Sequence, residues 1–502
     1  GNQHPDRGLQ PQHGAGAMRR GRSCKAVRAK PTGQNRWEKV VVFGHAKNLG
    51  RVRPPHNMGY TGKRGVTCRG WRHPLMQDQI ERGPRMYRVW NYVSAYSLLL
   101  IIGALTALVW ANLHPDSYHA AVHYVLIDDF LIGEAGMEGG SVQRTLTLHF
   151  LVNDVLMAFF FAIAAKEVWE ALILEEGSLR GRKALTPLVA TLGGMVGPVA
   201  VYLGLAAALG VFDIVSRGWA IPTATDIAFS YLVGRMVFGA GHPAIRFLLL
   251  LAIADDALGL IILAVFYPTG ALAPLWLLLS LAAALGVYGL FNWLPVHLDR
   301  GNLLQPNATW VRKKLSFWPY LIAGALSWYG FQEAGIHPAL GLLPIVPTIP
   351  HADRSFGVFA EAEQYLTDLL NRIEHMLKVP VEIVLFFFGL LNAGVEFSAI
   401  SEPTWLVLAG LLVGKPVGIF LFGWFAVRVL RLGLADGMRM ADLFVVGCVA
   451  AIGFTVALFV ASVAFPAGPV QDAAKMGALF SFGAAAFALL AGRMMGVTKV
   501  RG

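Results

Sequence analysis

The chain has 502 residues, 55% of them hydrophobic and only 15% charged, with a positive mean hydropathy. Soluble proteins carry about 25% charged residues, and several apolar runs here reach the roughly 18 residues that cross a hydrocarbon layer as a helix. The composition therefore points away from a soluble protein and toward a polytopic membrane protein. The net charge of +11 is not spread evenly: residues 1–90 hold 19 Lys/Arg against 4 Asp/Glu, and the remainder holds 23 against 27.

In chain order, residues 1–90 come first as a basic tail rich in Gly, Pro, Arg and His. Stretches such as "RGRSCKAVRAKPTGQ" cannot bury enough apolar surface to fold alone. No apolar core of a signal peptide follows the basic stretch before Tyr92. The tail reads as disordered and cytoplasmic, or as a start assigned upstream of one near Met86. The sharper alternative is attraction to anionic lipid or nucleic acid by charge, although no nucleic-acid partner is expected of the protein. Cys24, Cys68 and Cys448 show no metal or disulfide spacing, and no cofactor is expected.

Residues 91–495 form the predicted transmembrane domain, with 496–502 as a short C-terminus. Twelve helical segments are predicted: 92–112, 148–173, 184–210, 220–238, 243–267, 272–294, 315–333, 337–350, 376–398, 403–427, 441–465 and 473–494. The outer connection 113–147 is long and acidic, and "VLIDDFLIGE" suggests a strand or hairpin there. Segment 220–238 opens with "AIPTATDIAF", 337–350 is broken by Pro338, Pro344, Pro347 and Pro350, and 441–465 has "AIGFTVALF" at its middle. With the N-terminus inside, outer loops carry only Arg144, Arg217 and Lys475. Arg180, Arg182, Lys183, Arg312, Lys313, Lys314, Arg428 and Arg431 fall inside, so both termini are predicted to be cytoplasmic. Residues 353–377 read as an amphipathic cytoplasmic extension of the ninth segment.

Ionisable groups within the spans are Asp154, Lys166, Glu167, Asp226, Asp255, Asp256 and Lys415, with Glu374, His375 and Lys378 near an inner end. Charges at membrane depth mark pathways or proton relays; the alternative is structural pairing alone. Asp255 and Asp256 are neighbours on one helix and point about 100° apart, so they divide the work. One faces a water-filled cavity, and the other takes a cationic partner, for which Lys415 is the candidate. Pro222, Thr223 and Thr225 before Asp226, and Gly453 with Thr455, suggest two interrupted helices. Such breaks in two halves point to the binding site of an inverted-repeat transporter. Carboxylates suit small hard cations, and one site that holds either protons or a cation meets the minimum need of cation/proton exchange.

"FLVNDVLMAFFFAIAAKEV", "GWAIPTATDIAFSYLVG", "LAIADDALGLIILAVFY", "GLLVGKPVGIFLF" and "AIGFTVALFVASVAF" resemble, in order, the motifs of the NhaA family of bacterial sodium/proton antiporters. That family is itself a standing example of inverted repeats with broken helices. The resemblance implies an all-α fold of about twelve transmembrane helices with two interrupted, crossing helices, in the bacterial inner membrane. It implies electrogenic exchange of cytoplasmic Na+ or Li+ for external H+. Asp255 and Asp256 would form the cation/proton site and hold the transported Na+, with Asp226 and Thr225 counted in the same binding set and Asp226 offsetting the facing helix termini at the crossing. Lys415 would be the charge partner. Asp154 and Glu167 would serve structure and the cytoplasmic entry. Glu374 and His375 would match a cytoplasmic cluster linked to pH response; the residues themselves add Glu361, Glu363 and Asp368 on the same amphipathic stretch, with a solvated helix face as the alternative. A homodimer would form through the outer loop 113–147. The chain departs from the family at Ala171, where an entry acid is usual, and at Lys378, where a histidine is usual. The alternative is a sodium-coupled solute symporter of related fold, which would need a second polar site. Membrane proteases and prenyltransferases are disfavoured, because neither a GxGD motif nor a second Asp-rich motif is present.

Overall fold

The computed structural model describes residues 98–138, 141–173, 184–300, 306–350 and 369–500. The basic tail lies outside them, as do Glu361, Glu363 and Asp368. Apolar runs become helices because, in hydrocarbon, every backbone N–H and C=O must be satisfied by the chain itself. The elements are α1 (Leu98–Leu113), α2 (Pro115–Val122), β1 (Val125–Ile127), β2 (Glu134–Glu138), β3 (Ser141–Thr147), α3 (Leu148–Ile173) and α4 (Leu185–Ala208). A 3₁₀ segment (Ser216–Thr223) leads into α5 (Ile227–Phe238), followed by α6 (Pro243–Phe266), α7 (Pro274–Leu298), α8 (Trp318–Ala334) and α9 (Leu369–Asn392). The chain continues through α10 (Glu402–Arg428), α11 (Met440–Ala450), α12 (Phe454–Ala464) and α13 (Pro469–Met494).

By length and apolarity α3, α4, α6, α7, α10 and α13 can each cross a membrane, and α11 with α12, bent by 51°, make a seventh span. The chain is a multi-pass membrane protein. The predicted segments fall on these elements with one exception. Residues 337–350 form no α-helix, only 3₁₀ turns at Pro338–Leu340 and Val346–Thr348, because four prolines remove backbone donors and clash with the preceding turn. The amphipathic stretch foreseen before the ninth segment is, from Leu369 onward, one helix with it. The outer connection holds a three-stranded antiparallel sheet in the order β1-β3-β2. Arg144 on β3 ties it to α8, donating to both oxygens of Glu333, the second bond at 3.0 Å.

Contacts along the helices fix their directions. α3 starts at the sheet and runs 26 residues, about 39 Å, to a far side. There Lys166 meets Glu374 near the start of α9, while Asn153 pairs with Asn392 at the sheet-side end of α9. The unit α4–α5–α6 therefore enters from the far side and the unit α10–α11/α12–α13 from the sheet side. Each has a broken helix between two long ones, which is an inverted-topology repeat.

The repeats meet closely. α7 buries only 17% of its apolar window, whereas α10 and α13 bury 56% of theirs, so α7 faces lipid and the other two form the centre. α4 and α10 touch through two small-residue pairs: a Cβ on Gly193 would lie 2.2 Å from the Gly418 carbonyl oxygen, and one on Gly197 2.2 Å from that of Gly414. Small residues let backbones approach in membranes, and this approach sets Lys415, between Gly414 and Gly418, against the first repeat.

Candidate cation site at the helix crossing

Both breaks lie at one crossing. In the first, Ala224 is extended after the 3₁₀ turn, and Asp226 caps α5. In the second, Gly453 separates α11 from α12; a Cβ there would lie 2.6 Å from the Ala224 carbonyl oxygen, so only glycine lets the two breaks touch. The polar groups freed by the breaks find partners, as buried backbone must. The Asp226 N–H donates to the Ile452 carbonyl at 2.8 Å, the Gly453 N–H to Ser481 Oγ at 3.4 Å, and Ser230 Oγ to the Val449 carbonyl at 3.2 Å.

The Asp226 carboxylate accepts from the Phe229 N–H at 3.2 Å and the Thr455 N–H at 3.3 Å, and also from the Thr455 hydroxyl. It thus sits at the N-termini of α5 and α12 together. Each terminus carries a partial positive charge of roughly half a unit, and one fixed anion offsets both. Pro222-Thr-Ala-Thr-Asp226 signalled the break; the partner Thr455, 229 residues away, had no local signal beyond its place after Gly453.

Next to this crossing, α6 presents its two aspartates differently. Asp255 is buried, and its Oδ2 accepts from Lys415 Nζ at 2.8 Å and Thr225 Oγ1 at 2.6 Å. Lys415, fully buried, also donates to the Thr223 carbonyl. Asp255 Oδ1 is buried without a hydrogen-bond partner among the described residues. Asp256 is only partly buried and makes no hydrogen bond or ion pair among the described residues. The two acids line one small cavity with Phe160 and Phe161 of α3, Thr223 and Ala224 of the break, and Val456 and Val460 of α12. Pro416, which removes a backbone donor, follows a π turn at Gly410–Gly414 and so sits where α10 is already irregular.

The other predicted site residues are placed elsewhere. On the far side, buried Lys166 approaches Glu374 at 2.7 Å, Glu170 at 2.9 Å and Glu167 at 3.4 Å. The contact with Glu374 Oε2 is an ion pair outside hydrogen-bond angles. Glu170 was not singled out from the sequence, although its i,i+4 spacing from Lys166 was visible. His375 and Lys378 are exposed on α9, apart from this cluster. Asp154 does not share a region with Glu167: thirteen residues, about 20 Å along α3, separate them. Asp154 faces a sheet-side cavity, where Oδ1 lies 3.4 Å from His337 Nδ1 and its carbonyl accepts from Trp328 Nε1 at 2.8 Å. That cavity is also lined by Glu134, His149, Asn153 and Gln332. Outside the spans, the nearby His149 holds the Glu134 carboxyl below the usual carboxylate range.

Two opposed helix breaks, unsaturated carboxylates and one buried lysine at a crossing within the membrane define an inverted-repeat secondary transporter for a small hard cation. The family model described as Na+/H+ antiporter 1 matches residues 88–494, and the chain belongs to that family. The Na(+)/H(+) antiporter NhaA of Jannaschia sp. (strain CCS1) is 70% identical over 417 residues, covering 82% of this chain and 99% of the relative. That of Desulfitobacterium hafniense (strain DSM 10664 / DCB-2) is 47% identical, covering 82% and 97%. That of Geobacter sulfurreducens is 44% identical, covering 82% and 98%.

Proposed function

We propose that the chain exchanges Na+ for H+ across the membrane, with Asp255 and Asp256 as the shared binding set. The observation that carries this reading is the buried Lys415–Asp255 pair beside a partly open Asp256. Carboxylate oxygens accept either a proton or a small hard cation, and each occupant expels the other. An arriving Na+ has Asp256 and the unpartnered Oδ1 of Asp255 to bind. Its charge then substitutes for that of Lys415 against Asp255. Thr225 keeps Asp255 oriented throughout, and Asp226 holds the two helix termini in place. Asp255 is already ionised against Lys415, so the two protons given up for one Na+ come from Asp256 and from the displaced Lys415; that exchange moves net charge and is electrogenic, and Li+ is the alternative cation.

The far side is cytoplasmic in this reading, because the turn before α8 holds Arg312, Lys313 and Lys314. Glu167, Glu170 and Glu374 around Lys166 then form an acid-rich inner approach, and Asp154 belongs to the outer one. Glu374 is the pH-responsive member of the inner cluster, with exposed His375 beside it. The acidic outer loop 113–147 is the surface for a homodimer. Transport in the bacterial inner membrane needs no enzymatic step and no cofactor.

Purified protein in sealed liposomes tests the exchange. Added Na+ should drive proton movement, and the rate should fall when the resulting membrane potential is not dissipated. Proton movement indifferent to the potential would overturn electrogenicity. A requirement for an organic solute would favour the symporter instead.

A further inference from the structure

Glu382 on α9 has no part in the site described above. It is 8% exposed, and its Oε2 is buried without a hydrogen-bond partner among the described residues. Burying a carboxyl oxygen with nothing to bond is costly, so a purely structural role would show a partner. The nearest candidate by spacing, Lys378 four residues earlier, is exposed.

The position of Glu382 is informative. Glu374, which meets Lys166, lies eight residues earlier on α9, about 12 Å along the axis. In the other direction, α9 packs against α12, whose first turn holds the Asp226 carboxylate at the crossing. α9 packs against α1, α3 and α12. α1 and α12 carry no charged residue in their described lengths. On α3, Lys166 pairs with Glu374, Glu170 and Glu167, and Asp154 sits at the sheet end beside His337. On α9 itself, Lys378, four residues away and exposed, is the nearest charge.

We propose that Glu382 is a protonatable station between the Lys166–Glu374 cluster and the helix crossing, carrying a proton or a small hard cation to and from the aspartate pair. The role rests on the exchange reading above. The step is simple: Oε2 takes one proton or coordinates one cation and later releases it, with no other bond made or broken.

The test uses the full chain in liposomes, with Glu382→Gln and Glu382→Asp beside the parent. Gln keeps the shape and loses the charge. Turnover at saturating Na+ should fall on the order of tenfold, with a changed pH profile and an unfolding temperature equal to the parent's or higher. Asp keeps a proton-carrying group and should restore most of the turnover. A Gln profile that overlays the parent overturns the proposal. So does equal loss in Gln and Asp, which marks packing alone. If Gln fails to insert, the pH profile of Glu382→Asp decides, and an unshifted profile overturns the role. A parent with no Na+-driven proton movement defeats the exchange reading and this role together; an active parent with an unaffected Gln variant defeats this role alone.

Discussion

Asp226 and the Asp255–Asp256 pair lie at the same crossing, yet the protein surrounds them in opposite ways. Asp226 accepts two backbone N–H groups and a hydroxyl, and belongs to two helix termini at once. Asp255 has one oxygen occupied by Lys415 and Thr225 and the other without a partner, and Asp256 has none among the described residues. A carboxylate whose bonds are all made is a fixed charge and holds structure. One whose bonds are half made has room for a proton or a cation. The same contrast separates Lys415, committed to one aspartate, from Lys166, which faces three glutamates.

The largest effect expected from this contrast is on transport. Asp256→Asn should remove Na+-dependent proton movement while leaving insertion and the unfolding temperature near the parent's, because no bond is lost. Exchange at a near-parent rate in liposomes would break the distinction at once.

Lys415→Ala should act on stability as well. Breaking a buried pair leaves an uncompensated charge, at a cost of about 3–5 kcal/mol. Adding Asp255→Asn should recover part of that loss, and a double-mutant cycle should give a coupling of roughly 1 kcal/mol or more. An uncoupled cycle would show that the 2.8 Å pair is not what holds α6 to α10.

Asp226→Ala tests the saturated side. It removes the cap of α5, worth about 0.5–2 kcal/mol, and orphans the Thr455 N–H, worth about 1–3 kcal/mol. Thermal unfolding should come earlier, and Asp226→Asn, which keeps an acceptor, should lose less. If Asp226→Ala melts as the parent does but has lost Na+ affinity, Asp226 belongs with the working pair and the contrast fails.

The smallest effect concerns the basic tail. The family match begins at residue 88, and a chain starting at Met86 should insert and exchange at the parent rate. Transport lost despite correct insertion would give the tail a role.

The spans themselves were legible in the sequence. Residues 148–173 and 243–267 fold as Leu148–Ile173 and Pro243–Phe266, because an apolar run in hydrocarbon has little alternative to a helix. Pro222 and Gly453 marked both breaks, although Pro198 and Pro380 stand inside unbroken helices, so a proline or glycine alone does not fix one. The cost of a charge at membrane depth is likewise local, so Asp255, Asp256 and Lys415 could be picked out one by one. Which partner each acid takes is not local. The sequence placed Asp255 and Asp256 about 100° apart but not which would meet Lys415. That depended on which face of α6 turns toward Lys415 on α10. The separation of Asp154 from Glu167 along one helix was already in their spacing, but spacing could not show that Thr455 would reach Asp226 or that Glu374 would join Lys166. Those outcomes follow from which helix faces cross at what depth, and only the packed structure decides that.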